Sequence, residues 1–194
     1  MNTTKTLFSC IILAGGEGRR VDGRDKGLID FKGKPLVQHV IDAVKPQADE
    51  IIISANRNIK MYGEYGYKIV TDTCEDFQGP LAGIAAALPF CKNDWTLIVP
   101  CDMPFLPTNL IETLSIGISD NISNSTNYNL CIAETKGRLQ LVFLMNKNLL
   151  PSLEESLQNN KLRLMQWVMS QKPKTCQYSE THYFENYNQT QDLL

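Results

Sequence analysis

Glycines and cations crowd one short stretch of the chain, Leu13-Ala14-Gly15-Gly16-Glu17-Gly18-Arg19-Arg20-Val21-Asp22-Gly23-Arg24-Asp25-Lys26-Gly27. The stretch follows an apolar run, Phe8 to Leu13, so it leaves the end of a buried strand. Glycines at that position let backbone N–H groups approach a phosphate with no Cβ in the way. From 19 to 34, six cations face three carboxylates, a local +3 in a chain of net charge −2, which leaves −5 for the remainder. An acidic chain that gathers its positive charge beside a glycine loop suits a small polyanion such as a nucleoside triphosphate. A solvated basic turn is the weaker account, because a strand precedes the loop and glycines fill it.

Two well-known phosphate loops do not fit. A P-loop needs Gly, four residues, Gly, Lys and then Ser or Thr, and no such string occurs. The dinucleotide fingerprint begins at Gly16-Glu17-Gly18 but meets Val21 where its third glycine belongs. It also wants an acid after the second strand, where Ser54-Ala55-Asn56 stands. A dehydrogenase is therefore not expected.

A second signal is Pro100-Cys101-Asp102-Met103-Pro104, just past the apolar run Trp95 to Val99. A carboxylate between two stiffening prolines at a strand's end is well placed to hold Mg²⁺ beside bound phosphates. A turn or cap aspartate reads these residues equally well. Asp72 also follows a short strand, and it precedes Asp76-Phe77-Gln78-Gly79-Pro80-Leu81-Ala82-Gly83. Glycines at a helix start could take a nucleotide, although ordinary capping explains them too. Of the two histidines, His39 falls on a helix face and reads as structural, and nothing resembles a nucleophilic triad. That fits a reaction whose nucleophile is already an anion.

The elements that must position these residues follow from the apolar pattern. Phe8 to Leu13, Ile51 to Ile53, Ile69-Val70 and Trp95 to Val99 read as buried strands. Leu36, Val40, Ile41 and Val44 after Pro35, and Leu81, Ile84, Ala85 and Leu88 after Pro80, read as helical stripes. Strand and helix in alternation predict a three-layer α/β/α, Rossmann-like arrangement on a mostly parallel sheet, with ligands at the strands' carboxyl ends. Ser115 to Asn129, rich in Asn and Ser, is expected to be mostly an exposed loop. Leu130 to Glu134 and Leu139 to Leu144, around Lys136-Gly137, read as a hairpin or paired strands. Helices near 149–157 and 163–169 and a strand near 175–178 complete the chain.

With 194 residues, 43% hydrophobic and 21% charged, the chain is expected to fold as one globular domain. Its six cysteines form no C-x-x-C pair, which disfavours zinc ribbons and redox dithiols. The net charge excludes a general affinity for nucleic acid. No run approaches the ~20 apolar residues of a membrane span. Leu7-Phe8-Ser9-Cys10 only loosely echoes a lipoprotein site, so a cytoplasmic protein with reduced thiols is expected.

Taken together, these strings resemble the molybdenum cofactor guanylyltransferases, within the nucleotidyltransferase superfamily. The likeness lies in Leu13 to Gly16 through Asp25-Lys26-Gly27, Gly33-Lys34-Pro35-Leu36, Ser54 to Asn58, Asp72, Gly79 to Gly83 and Pro100-Cys101-Asp102-x-Pro104. It is dense over residues 7–107, with later echoes at Arg163 and at Phe184 to Asn188. The resemblance implies transfer of GMP from GTP to molybdenum-molybdopterin with release of pyrophosphate and Mg²⁺ as cofactor. It implies a GTP-binding part over about residues 6–107 and a pterin side over about 130–194. Leu13, Ala14, Gly15, Lys26, Ser54, Asp72 and Asp102 would bind GTP, with Asp102 on the metal and Lys26, Asp102 and Arg19 catalytic. Gly16, Gly23 and Gly79 match residues around the same site, and Arg163, Asn186 and Asn188 would lie nearer the pterin. Transient contact with molybdoenzymes or their chaperones is implied as well. The alternatives are a cytidylyltransferase on the same pterin or a sugar phosphate, and a non-catalytic nucleotide-binding carrier of the cofactor.

Overall fold

A computed structural model describes residues 6–14, 24–72, 79–124 and 128–187, with the backbone alone for 119–124. The first strand, β1 (Phe8–Leu13), is apolar at nearly every position because helices cover both of its faces. Its side chains alternate between two cores. Cys10, Ile12 and Ala14 enter one, Ile11 and Leu13 the other. The first core is closed by α1 (Leu36–Val44), α2 (Ile59–Gly63) and α4 (Leu110–Asn124). The second is closed by α3 (Pro80–Ala87), α5 (Leu150–Gln158) and α6 (Leu164–Ser170). These are the three layers expected.

Among the described residues one sheet runs β5-β4-β1-β6-β8-β7-β9. Its further strands are β4 (Glu50–Ser54), β5 (Lys68–Val70), β6 (Trp95–Pro100), β7 (Leu130–Thr135), β8 (Arg138–Asn146) and β9 (Lys174–Gln177). Only β8 runs against its neighbours, so the sheet is mostly parallel. The β7–β8 turn is Lys136-Gly137, both at positive φ (46° and 76°), the geometry that suits a two-residue hairpin. A small second sheet pairs β2 (Asp30–Phe31) with β3 (Lys34–Pro35) and leads into α1.

Helix α1 starts after Pro35 and buries Leu36, Val37, Val40, Ile41 and Val44, a stripe of helical period. Helix α3 has Pro80 in its first turn, where the missing N–H costs nothing, behind Gly79 at φ 75°. His39 serves structure, as expected: its Nε2 lies 2.7 Å from the Phe31 carbonyl and its ring meets that of Phe31 edge-on.

The stretch expected as a loop, Ser115 to Asn129, is instead largely helix α4, which runs to Asn124. Its apolar stripe begins upstream, with Leu110, Ile111 and Leu114 buried and Ile118 packed on the first core. Gly117 lies so close to the sheet that a Cβ there would fall 2.7 Å from Cys131 Sγ. Polar composition masked a helix that needs only one apolar stripe. No described helix is long and apolar enough to cross a membrane. The cysteines at 10, 91, 101, 131 and 176 are buried.

One close approach constrains the chain at Gly27. A Cβ on Gly27 would collide with Tyr62 Oη and sit 3.1 Å from Cys101 Sγ. Both neighbours are themselves packed, so neither can give way cheaply. Gly27→Ala is therefore expected to lower unfolding free energy by about 1–3 kcal/mol. Urea unfolding of the purified variant checks this, and an unchanged midpoint would contradict it.

Candidate active site

The carboxyl ends of β1, β4, β5 and β6 reach the same edge of the sheet, with Leu13 in register with Ser54 and Pro100, and Ser54 with Val70. Hydrogen bonds continue the pairing past the strands, from Ala14 N–H to the Ser54 carbonyl (2.8 Å) and from Cys101 N–H to the Leu13 carbonyl (3.1 Å). Asp102 follows directly. Its residue is 8% exposed, set at the end of the central strand pair. Lys26 comes to it from the loop after β1, Nζ to Oδ2 at 3.6 Å. Burial raises the Asp102 pKa above the ordinary carboxylate value, while the Lys26 charge pulls it down. Burial outweighs the partner.

Lys26 is held in place by a neighbouring side chain to which the sequence assigned no role of its own. The Asp25 carboxylate is buried and accepts from Tyr62 Oη at 2.6 Å and from Asn58 Nδ2 at 3.0 Å. Tyr62 is fully buried in α2, and burial pushes its hydroxyl well above the usual phenol range, so it remains a donor. Asn58 enters α2 with φ 51°, a left-handed conformation asparagine tolerates better than most residues. That dihedral leaves no trace in the sequence, although the Asp-Lys-Gly string beside the glycine loop was visible.

The chain's last described segment returns to the same place. Tyr187 N–H donates to the Asp102 carbonyl (3.0 Å), and its ring lies 4.5 Å from Phe31 and 5.7 Å from Phe105. Exposed Asn186 therefore stands next to the Asp102 turn. Of the other predicted residues, Leu13 and Ala14 end β1 at this edge, and Ser54 is 3% exposed beneath α3, where a Cβ on Gly83 would sit 2.6 Å from its Oγ. Asp72 is half-buried at the end of the β5 segment, its N–H held by Asn56 Oδ1 at 3.0 Å. Gly79 is exposed at the head of α3. Arg163 is exposed at the head of α6, on the face of the sheet that α3 and α5 cover. Gly15, Gly16, Arg19, Gly23 and Asn188 lie outside the described residues.

What this edge can hold follows from its donors. Among the described residues no group of three or more acids, histidines or cysteines is placed to cage a metal. A single desolvated carboxylate with a cation beside it suits a hard ion that keeps its waters and takes its remaining ligands from phosphate.

A lysine and a buried carboxylate thus meet at the strand ends of a mostly parallel three-layer sheet. The family model described as MobA-like NTP transferase domain matches residues 10–174, and the chain belongs to that family. The molybdenum cofactor guanylyltransferase of Shewanella putrefaciens is 39% identical over 165 residues, 84% of this chain and 82% of that relative. The protein of the same name from Polynucleobacter asymbioticus is 39% identical over 184 residues, 94% and 92% of the two chains. The solved structure of molybdopterin-guanine dinucleotide biosynthesis protein A from Archaeoglobus fulgidus superposes with TM-score 0.73 over 95% of this chain and 94% of its own, at 20% identity, and so shares the fold.

The desolvated carboxylate has a consequence for stability. With its pKa raised on folding, Asp102 binds more proton in the folded than in the unfolded chain between the two values. Its contribution is then fullest below the unfolded pKa and is lost as pH rises through the folded one. Asp102→Asn is expected to melt at or above wild type near pH 7, with the gap closing toward about pH 4. Paired thermal melts across that range check it. A variant clearly less stable than wild type near pH 7 would contradict the burial argument.

Proposed function

We propose that this enzyme transfers GMP from GTP to the terminal phosphate of molybdopterin carrying molybdenum, releasing pyrophosphate and forming the guanine dinucleotide cofactor. The observation that carries the reading is Lys26 facing Asp102 at 3.6 Å on the sheet's carboxyl edge, in a chain 39% identical to relatives named for guanylyl transfer. An oxygen of the acceptor phosphate attacks the α-phosphorus of GTP. The bond from that phosphorus to the bridging oxygen breaks, and pyrophosphate leaves with the electron pair. Since the acceptor is already ionised, the chain has no proton to remove. It has to align two phosphates and offset the charge that grows on the leaving group.

Lys26 is the cation for that charge. Leu13 and Ala14, with Gly15 and Gly16 on the resemblance, offer loop backbone to the nucleotide. Ser54, Asp72 and Gly79 bound the same edge, and Arg19 and Gly23 are assigned to it by resemblance alone. Asp102 would hold Mg²⁺, which when bound supplies charge neutralisation between carboxylate and phosphates. Residues 6–107 form the GTP side in this reading. The segment from about 130 onward serves the pterin, with Arg163, Asn186 and Asn188 its candidate contacts. In this proposal the enzyme works in the cytoplasm and passes its product to molybdoenzymes or their chaperones.

Pyrophosphate release with molybdenum-loaded molybdopterin and GTP, CTP or ATP in parallel tests the proposal. Release with GTP alone is expected, abolished when divalent cations are chelated. Preference for CTP would overturn the base assignment, and GTP binding without release would leave a carrier. Lys26→Ala should lower kcat by about 10²-fold, the scale of losing one preorganised donor. Steady-state kinetics at saturating GTP measure this, and normal turnover would remove Lys26 from the mechanism.

A further inference from the structure

Residues 25–27 are gripped on two sides. On one, Tyr62 and Asn58 of the α2 segment hold both oxygens of the Asp25 carboxylate. On the other, Gly27 lies against Cys101, the residue before Asp102. Helix α2 is only five residues long, yet Tyr62 is completely buried in the first core. Its hydroxyl reaches the Asp25 carboxylate at 2.6 Å. Arg57 Nη2 adds a longer bond to the Arg24 carbonyl at 3.4 Å. Residues 24 and 25 are thus tied to the turn and helix that follow β4 by three hydrogen bonds, one to the Arg24 carbonyl and two to the Asp25 carboxylate, and the next residue, Lys26, extends toward Asp102.

We propose that Tyr62 is a positioning residue for the nucleotidyl transfer, acting through the Asp25 carboxylate to set where Lys26 meets Asp102. The inference rests on the reading of Lys26 as the phosphate-facing cation. A phenol is well suited to the task. Its single O–H is aimed by a rigid ring, and the short bond to a carboxylate is charge-assisted. Asn58 supplies the second donor, so the carboxylate cannot swing about either oxygen. A lysine on a loop fixed in this way reaches the reacting phosphates without a search through backbone conformations, which is what preorganisation contributes to rate.

Tyr62→Phe removes the hydroxyl and keeps the ring that fills the core, and Asn58→Gly removes the amide while permitting the left-handed backbone. Kinetics use whichever triphosphate the wild type turns over. Tyr62→Phe is expected to lower kcat roughly 10-fold, as a displaced catalytic group does. KM for the nucleotide should move by less than about threefold. Asn58→Gly should act in the same direction, more weakly. In a Lys26→Ala background the Tyr62→Phe effect should shrink to within about twofold, since both act as one unit. A merely structural tyrosine would lower turnover by the same factor with or without Lys26, and that result would overturn the proposal. Crystal structures of wild type and Tyr62→Phe decide placement with no activity required. Lys26 Nζ is expected to withdraw from Asp102 beyond ion-pair reach, about 4 Å. An unmoved loop and lysine would overturn the proposal. Should the wild type release pyrophosphate from no triphosphate, the reading of function fails, while the two structures still decide whether Tyr62 places Lys26.

Discussion

A carboxylate at the end of a buried strand is costly to keep ionised, and the architecture around this sheet edge is arranged against that cost. Asp102 lies where β6 leaves the core, too covered for water to solvate it fully. Lys26 supplies the opposing charge, yet at 3.6 Å and partly exposed it offsets only part of the desolvation. The pair is therefore electrostatically incomplete. A phosphate placed against Lys26 and a cation placed against Asp102 would each satisfy what the other partner leaves unmet. A more perfect ion pair would have made a more stable protein and a poorer binding site.

Keeping two such groups adjacent requires that segments distant in sequence be held in register. Strand β1 does this for the sheet, because its hydrogen bonds to β4 and β6 run on past the strands into Ala14 and Cys101. Gly27 does it for the loop, since only a residue without a Cβ fits between Tyr62 and Cys101. From the far end of the chain, Tyr187 bonds the Asp102 carbonyl and packs its ring on Phe31, just beyond the Lys26 loop. The two arms of the site are thereby joined a second time, through aromatic packing rather than charge. Lys32 lies about 5 Å over the rings of Phe31 and Phe105, which adds cation–π attraction to the same cluster.

Much of this was legible in the residues. The apolar runs at Phe8 to Leu13 and Trp95 to Val99 read as buried strands, and their order located the ligand edge. Lys136-Gly137 announced the hairpin, because few dipeptides adopt its left-handed turn comfortably. Lys26 and Asp102 were both singled out, and the fold brings them together. What escaped depended on tertiary geometry. Helix α4 carries its apolar stripe among serines and asparagines, so average polarity concealed a periodic signal. Asp25 looked like one more charge in a basic loop, and nothing local connects it to a tyrosine on α2. Nor does anything local connect Tyr187 to the distant Asp102 turn, to which its N–H is bonded.

In the proposed reaction Lys26 and Asp102 together receive the triphosphate and its cation. A crystal structure with a non-hydrolysable GTP analogue and Mg²⁺ tests it most directly. Phosphate oxygens are expected within hydrogen-bond reach of Lys26 Nζ, the cation bonded to the Asp102 carboxylate, and the base beyond the end of β1. Nucleotide bound elsewhere on the sheet, or bound at this edge with its phosphates away from Lys26 and its cation away from Asp102, would contradict it.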